Sequence, residues 1–131
     1  MLPDPDLTEA QLADLVDRFY ANVRKDPLIG GLFETVIGDW PQHLGKLTAF
    51  WSSVMLGTGR YHGRPMVAHA RLADRITPEM FARWLAIWGE TTQTLFPPPV
   101  ATRLQDKAAR IAESLQLGLR FHADLSGKAA S

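Results

Sequence analysis

Apolar residues recur at three- and four-residue steps along most of this chain, and prolines and glycines cut that rhythm into separate segments. The step is the period of a helix, because side chains three and four apart share one face. Leu12, Leu15, Val16, Phe19, Tyr20 and Val23 form such a face behind Thr8 and Gln11, which read as a capping box. Pro27 turns the chain at Asp26, ahead of a short segment from Leu28 to Val36 that carries Phe33. A second long helix starts at Asp39, with Pro41 and Gln42 behind the cap, runs through His43, Leu44, Leu47, Phe50, Trp51, Val54 and Met55, and stops at Gly57 and Gly59. Pro65 opens a short helix carrying His69, and Thr77-Pro78-Glu79 opens another with Met80, Phe81, Trp84, Leu85, Trp88, Thr92 and Leu95 on one broad face. Pro97-Pro98-Pro99 ends it, and a last helix is expected from about Val100 to His122, with Leu104, Ala108, Ile111, Leu115 and Leu119 inward and Arg103, Lys107, Arg110 and Glu113 solvated. No strand-like alternation or repeat interrupts this pattern, so the fold class is all-α. A chain of 131 residues suits one domain, with 1–7 as an N-terminal arm and 124–131 as a fraying tail.

Composition narrows the chemistry. Fourteen basic and fourteen acidic side chains leave no net field to draw the chain to nucleic acid or an anionic membrane, which favours a small ligand. The absence of cysteine excludes disulfides, thiolate metal sites and cysteine nucleophiles, so any metal must use His, Tyr, Met or carboxylate. The acidic, proline-containing start Met1-Leu2-Pro3-Asp4-Pro5-Asp6 is unlike a signal peptide, and no apolar run reaches membrane length; a cytoplasmic protein is the expectation.

Most enzyme signatures are missing as well. No carboxylate pair lies on an apolar face, and Glu-x-x-His, His-Glu-x-x-His and Gly-x-Ser-x-Gly do not occur. The glycines at 57, 59 and 63 follow no strand and precede no Lys-Ser/Thr pair, so they do not make a phosphate loop. What remains is three helices whose apolar faces carry one polar group each: Tyr20, His43 and His69, with Trp84 as a further donor. Each has a plain alternative, because a buried tyrosine commonly bonds a backbone carbonyl and a lone histidine on such a face is more often a core or boundary residue. Taken together they fit a flat apolar disc that needs one strong axial ligand and polar groups on its other face, which is the requirement of haem.

Phe19-Tyr20-Ala21-Asn22-Val23-Arg24-Lys25-Asp26, then Trp40 and His43 ahead of Phe50-Trp51, then Gly59-Arg60-Tyr61-His62-Gly63-Arg64-Pro65 with His69, then Phe81 and Arg83-Trp84-Leu85, resemble the third group of truncated haemoglobins in order and spacing over roughly residues 12 to 120. The resemblance implies a shortened globin fold, two helices over two, around haem b. It implies that His69 is the proximal iron ligand, that Tyr20 and Trp84 are distal donors to a bound diatomic molecule, and that His43 takes the distal-histidine place. Coordinating the iron as a second axial ligand, gating access, bonding the ligand and swinging away all stay open to His43. It further implies that Phe33, Leu47, Phe50 and Trp51 pack the distal wall and haem edge, and that Met66 belongs to the haem surroundings. Lys46, Tyr61, Arg64 and Arg71 are the propionate candidates. His62 and the triple proline depart from the family pattern, and His62 is expected to be an exposed loop imidazole.

The resulting expectation is a haem b protein that reversibly binds dioxygen, carbon monoxide and nitric oxide. Slow release of oxygen would suit nitric oxide dioxygenation or peroxide reduction better than bulk transport, since delivery requires release. Whether the chain turns over as an enzyme is left open, as are an unidentified reductase and a monomeric or weakly dimeric state. Two rivals stand beside it: a non-haem metal enzyme using His43, His62, His69 or His122 with a carboxylate, and a cofactor-free helical interaction module.

Overall fold

Six helices make up the computed structural model, which describes residues 4–130 and, beyond the backbone, every side chain to 120 except those of 67 and 68. They are α1 (Glu9–Lys25), α2 (Gly30–Val36), α3 (Trp40–Leu56), α4 (Pro65–Ala70), α5 (Pro78–Leu95) and α6 (Pro98–Ala130). Among the described residues there is no strand.

The helix ends follow local chemistry. Thr8 accepts from the Gln11 amide while the Gln11 side chain accepts from the Thr8 amide, completing the capping box of α1. Asp39 and Thr77 accept from the Gln42 and Met80 amides at the starts of α3 and α5. Gly57 closes α3 with φ 68°, a left-handed conformation that costs a side-chain-bearing residue more than it costs glycine. α6 begins at Pro98, earlier than expected, because a proline in a first helical turn lacks only an N–H that would have had no partner. Its helical backbone continues to Ala130, beyond His122. A single glycine such as Gly127 costs about 1 kcal/mol without clashing or removing an N–H, so it does not by itself end a helix. The side chain of His122, and those on which fraying of 124–131 would bear, lie outside the described residues.

α1 packs on α3 and α5, α5 packs on α6, α2 leans on α1 and α4 on α6. This is two helices over two, with the main core between the layers. Leu12, Leu15, Val16, Phe19 and Val23 of α1 are fully buried there with Trp88 and Leu104. Full burial of one such side chain is worth about 1.5–3 kcal/mol, against tenths for differences in helix propensity, so these contacts decide the arrangement. Trp51 stacks on Trp88 at 4.5 Å, Trp84 lies parallel to Trp88 at 6.0 Å, and the Trp88 indole donates to the Leu104 carbonyl at 3.1 Å. A column of three indoles thus runs from α3 into α5. A second, smaller cluster of Phe81, Ala112 and Leu119 with Ile76, Leu85 and Leu115 lies between α5, α6 and the loop before α5.

Two ionic contacts fix segments that periodicity treats as loose. Arg103, expected to be solvated, donates to Asp4 at 2.6 Å and to Asp6 at 2.8 Å, and the Asp4 amide donates to the Met55 carbonyl at 3.0 Å. The arm is therefore strapped across α3 and α6. At the end of α1, buried Asp26 accepts from the Leu28 amide at 3.0 Å, the Ile29 amide at 3.1 Å and Arg83 Nε at 2.6 Å. Gly30 follows so closely that a Cβ there would strike the Arg24 carbonyl. This knot sets α2, and with it Phe33, against α1 and ties the turn between them to α5.

Burial alone would raise the Asp26 carboxyl above 3.8, but Arg83 and the two amides reverse that and hold it lower. A lowered folded-state value means that this contribution to stability is present above about pH 4 and is lost as pH falls through the folded value. Asp26→Asn is accordingly expected to lower the thermal midpoint at pH 7 and to flatten its decline between pH 5 and 3. A decline as steep as that of the wild type would show that Asp26 is not responsible.

Candidate functional site

Tyr20 is delivered by the last turns of α1, where the three- and four-residue steps that bury Phe19 and Val23 also turn the phenol inward. Its ring meets Phe19 at 4.7 Å, Phe33 at 5.7 Å and His43 at 6.1 Å, each edge to face. Burial pushes its hydroxyl up to about 12, and the Trp84 indole beside it offsets part of that rise. The phenol is therefore a protonated donor at any ordinary pH. Trp84 in turn stands edge to face with Phe19 at 5.4 Å, so α1 and α5 present two donors side by side.

His43 comes from the first turn of α3, half-buried and facing Tyr20. Burial lowers its imidazole below 6.5, and the charges of Lys46 and then of His69 lower it further. A neutral imidazole at pH 7 carries one donor and one acceptor nitrogen. Three residues before it, Trp40 stands perpendicular to His43 at 5.8 Å and tilted against Tyr20 at 6.1 Å. The Trp40 indole N–H is buried and has no hydrogen-bond partner among the described residues. Leaving such a donor unmade costs about 1–3 kcal/mol, so other forces hold the ring. One is the Arg24 guanidinium, 4.4 Å above the ring centre.

His69 sits on α4, which begins at Pro65 as the sequence indicates. Its Nδ1 lies 2.7 Å from the Pro65 carbonyl, one helical turn earlier. That contact makes Nδ1 the N–H donor and leaves Nε2 with its lone pair available to a metal or proton. Among the described residues α4 packs only on α6, and the 57–64 loop bridges it to α3. Among these residues α3 and α4 do not pack on one another, and a positive charge on His69 is the smallest of the three influences that lower the His43 imidazole.

The remaining expected residues divide. Phe33, Leu47 and Phe50 are partly buried against the main core, Phe33 beside Tyr20. Lys46 is exposed one turn from His43 and acts on it through charge. Tyr61 packs edge to face on Phe50 at 5.2 Å, its amide donates to Ser53 Oγ at 2.9 Å, and its phenol fills the space a side chain at Gly63 would need. Arg64 caps α4 and Arg71 ends it, both exposed, and His62 is exposed in the loop. Trp51 lies deeper than a site edge, buried in the core against Trp88. Met66 reaches α6, where it occupies the room beside Gly118.

Sequence reasoning left Trp40 and Arg24 without a role. The three-residue spacing of Trp40 and His43 was the available signal; nothing local places Arg24 on the indole. Among the described residues no three His, Asp or Glu side chains group as a metal site, which removes the footing of a multi-ligand non-haem centre there. One histidine with Nε2 free to ligate, together with the buried rings and donors Tyr20, Trp84 and His43, is a donor set that fits haem.

Residues 8–116 match the bacterial-like globin family. The group 3 truncated haemoglobin of Campylobacter jejuni is 30% identical over 114 residues, spanning 84% of this chain and 89% of that protein. The crystal structure of the group III truncated haemoglobin from Campylobacter jejuni superposes with a TM-score of 0.78 at 28% identity, covering 90% of this chain and 95% of that one. No described helix is long and apolar enough to cross a membrane. With two helices over two and matches of this extent, the chain belongs to the bacterial-like globins, as a truncated haemoglobin of the third group.

Proposed function

We propose that this globin binds haem b through His69 and takes up dioxygen, carbon monoxide or nitric oxide on the side of Tyr20, Trp84 and His43. The observation that carries the reading is the His69 ring held through Nδ1 by the Pro65 carbonyl, with Nε2 left as the one nitrogen able to ligate. Fixing the tautomer through a backbone acceptor also makes the free nitrogen a stronger ligand. Haem, when bound, supplies an iron centre with a coordination position open to a small ligand. Tyr20 and Trp84 would donate to that ligand, and neutral His43 would add a donor or acceptor according to its ring orientation. Phe33, Leu47 and Phe50 would keep water from the ligand, while Lys46, Tyr61, Arg64 and Arg71 would address the propionates.

Two donors preorganised in a dry pocket stabilise a ligand that draws electron density outward much more than an apolar one. Oxygen would therefore leave slowly, which favours chemistry on oxygen, nitric oxide or peroxide over delivery. A cytoplasmic location and an unidentified reductase belong to the same proposal. The test is the absorption spectrum of the purified protein in ferric, ferrous and carbon monoxide forms. An intense Soret band that shifts on adding carbon monoxide is expected; a protein that stays colourless after exposure to haem would end the reading.

A further inference from the structure

Trp40 is held with its indole N–H buried and unbonded, against its own preference, beside the two rings that form the candidate ligand pocket. An indole free to choose would turn that N–H towards water or an acceptor. Two contacts oppose this. The Arg24 guanidinium covers one face at 4.4 Å, and Glu34 of α2 accepts from Arg24 Nε at 2.5 Å, so the cation is tethered from a second helix. Arg24 and Glu34 are both substantially exposed. Among the described residues neither makes a hydrogen bond or ion pair with Tyr20, His43 or His69, and the contact of Arg24 with the pocket rings is through the indole.

We propose that Arg24, tethered by Glu34, clamps Trp40 and that Trp40 is a positioning residue holding Tyr20 and His43 in their places in the pocket. The inference rests on the haem-pocket reading above, in that the groups held are those proposed to meet the ligand. A surface arginine then influences ligand release without touching ligand. Exposed ion pairs contribute little, so Glu34 orients the cation and the cation–π contact supplies most of the hold.

The test compares Arg24→Ala, Arg24→Lys and Glu34→Gln in the haem-loaded protein, with Arg18→Ala as control. Among the described residues Arg18 pairs only with Asp14, one turn earlier on the same helix, and both are exposed. Arg24→Ala is expected to speed oxygen dissociation by about two- to fivefold, the range a cation–π contact at an exposed site allows. It is also expected to shift the infrared stretching band of bound carbon monoxide. Arg24→Lys, which keeps a cation over the ring, restores most of both, Glu34→Gln moves them less but in the same direction, and Arg18→Ala leaves them unchanged.

A wild-type off-rate and carbon monoxide band in Arg24→Ala overturn the proposal, as does an Arg24→Lys protein that behaves like Arg24→Ala. Should Arg24→Ala fail to fold, Glu34→Gln with unchanged values overturns it equally. The indole N–H resonance of Trp40, identified by its loss in Trp40→Phe, gives a readout that needs no haem. It is expected to move in Arg24→Ala and return in Arg24→Lys in the protein as purified. If wild type takes up no haem, the functional reading fails while this resonance still decides whether Arg24 acts on Trp40.

Discussion

His69→Ala is expected to remove histidine coordination altogether and to leave the helical fold standing. The variant should lose the five-coordinate histidine spectrum of the ferrous form and release haem readily, while its far-ultraviolet circular dichroism stays that of wild type. The large effect follows from the donor set. Among the described residues no three His, Asp or Glu side chains group together, so no ready-made ligand set is at hand to replace it. The modest structural effect follows from the position of the ring, which is part-buried on a six-residue helix and makes its hydrogen bond within that helix. Added imidazole should restore the spectrum by entering the space the ring leaves. A histidine-ligated five-coordinate haem that survives in His69→Ala without added imidazole would sink the assignment.

Tyr20→Phe should have the second largest effect, on the other side of the pocket. Removing the hydroxyl leaves the Phe19 and Phe33 edge contacts of the ring in place and takes away only the donor. A hydrogen bond to a ligand carrying partial negative charge is worth about 1.5–3 kcal/mol, which corresponds to oxygen dissociation faster by roughly ten- to 150-fold. Carbon monoxide, a much weaker acceptor, should leave at nearly the wild-type rate. Because burial pushes the phenol up to about 12, Tyr20 stays protonated across the neutral range and the wild-type oxygen off-rate should show no step there from this group. Stopped-flow displacement of oxygen by carbon monoxide measures both rates. An unchanged oxygen off-rate would take Tyr20 out of the ligand network and leave Trp84 as the donor to test.

The Trp84 contribution is separable in principle but coupled in practice. Trp84 stands beside the Tyr20 hydroxyl and stacks on Trp88, so a Trp84 variant disturbs both a donor and the indole column that continues to Trp51. Tyr20→Phe changes one atom and is the cleaner measurement.

How much of this was legible in the chain differs from residue to residue. The helices were, because their signals are local: a cap bonds an amide three residues on, and an apolar face repeats within a turn. Thr8, Asp39 and Thr77 cap the helices they were expected to cap, and His69 sits four residues after the proline that starts its helix, near enough to bond that proline's carbonyl. That much of the candidate site is a property of short sequence. Its identity as a set, Tyr20 with Trp84 and His43, came from the ordered resemblance of widely spaced motifs and not from any one of them.

The depth of Trp51, the strap of Arg103 on Asp4 and the place of Arg24 on Trp40 were not legible. Each depends on where two elements far apart in the chain lie once packed: Arg103 is 99 residues from Asp4, and Arg83 is 57 from Asp26. Helical periodicity gives the face a side chain occupies, and with it burial or exposure. It does not give the rotation of one helix against another, and a few ångströms there decide whether an arginine is solvated or clamped on a ring. By itself the sequence determined five of the six helices, with α2 read only as a short segment, and a candidate axial histidine. The packing of α1 against α3 and α5 decided which rings gather around Tyr20 and what holds them.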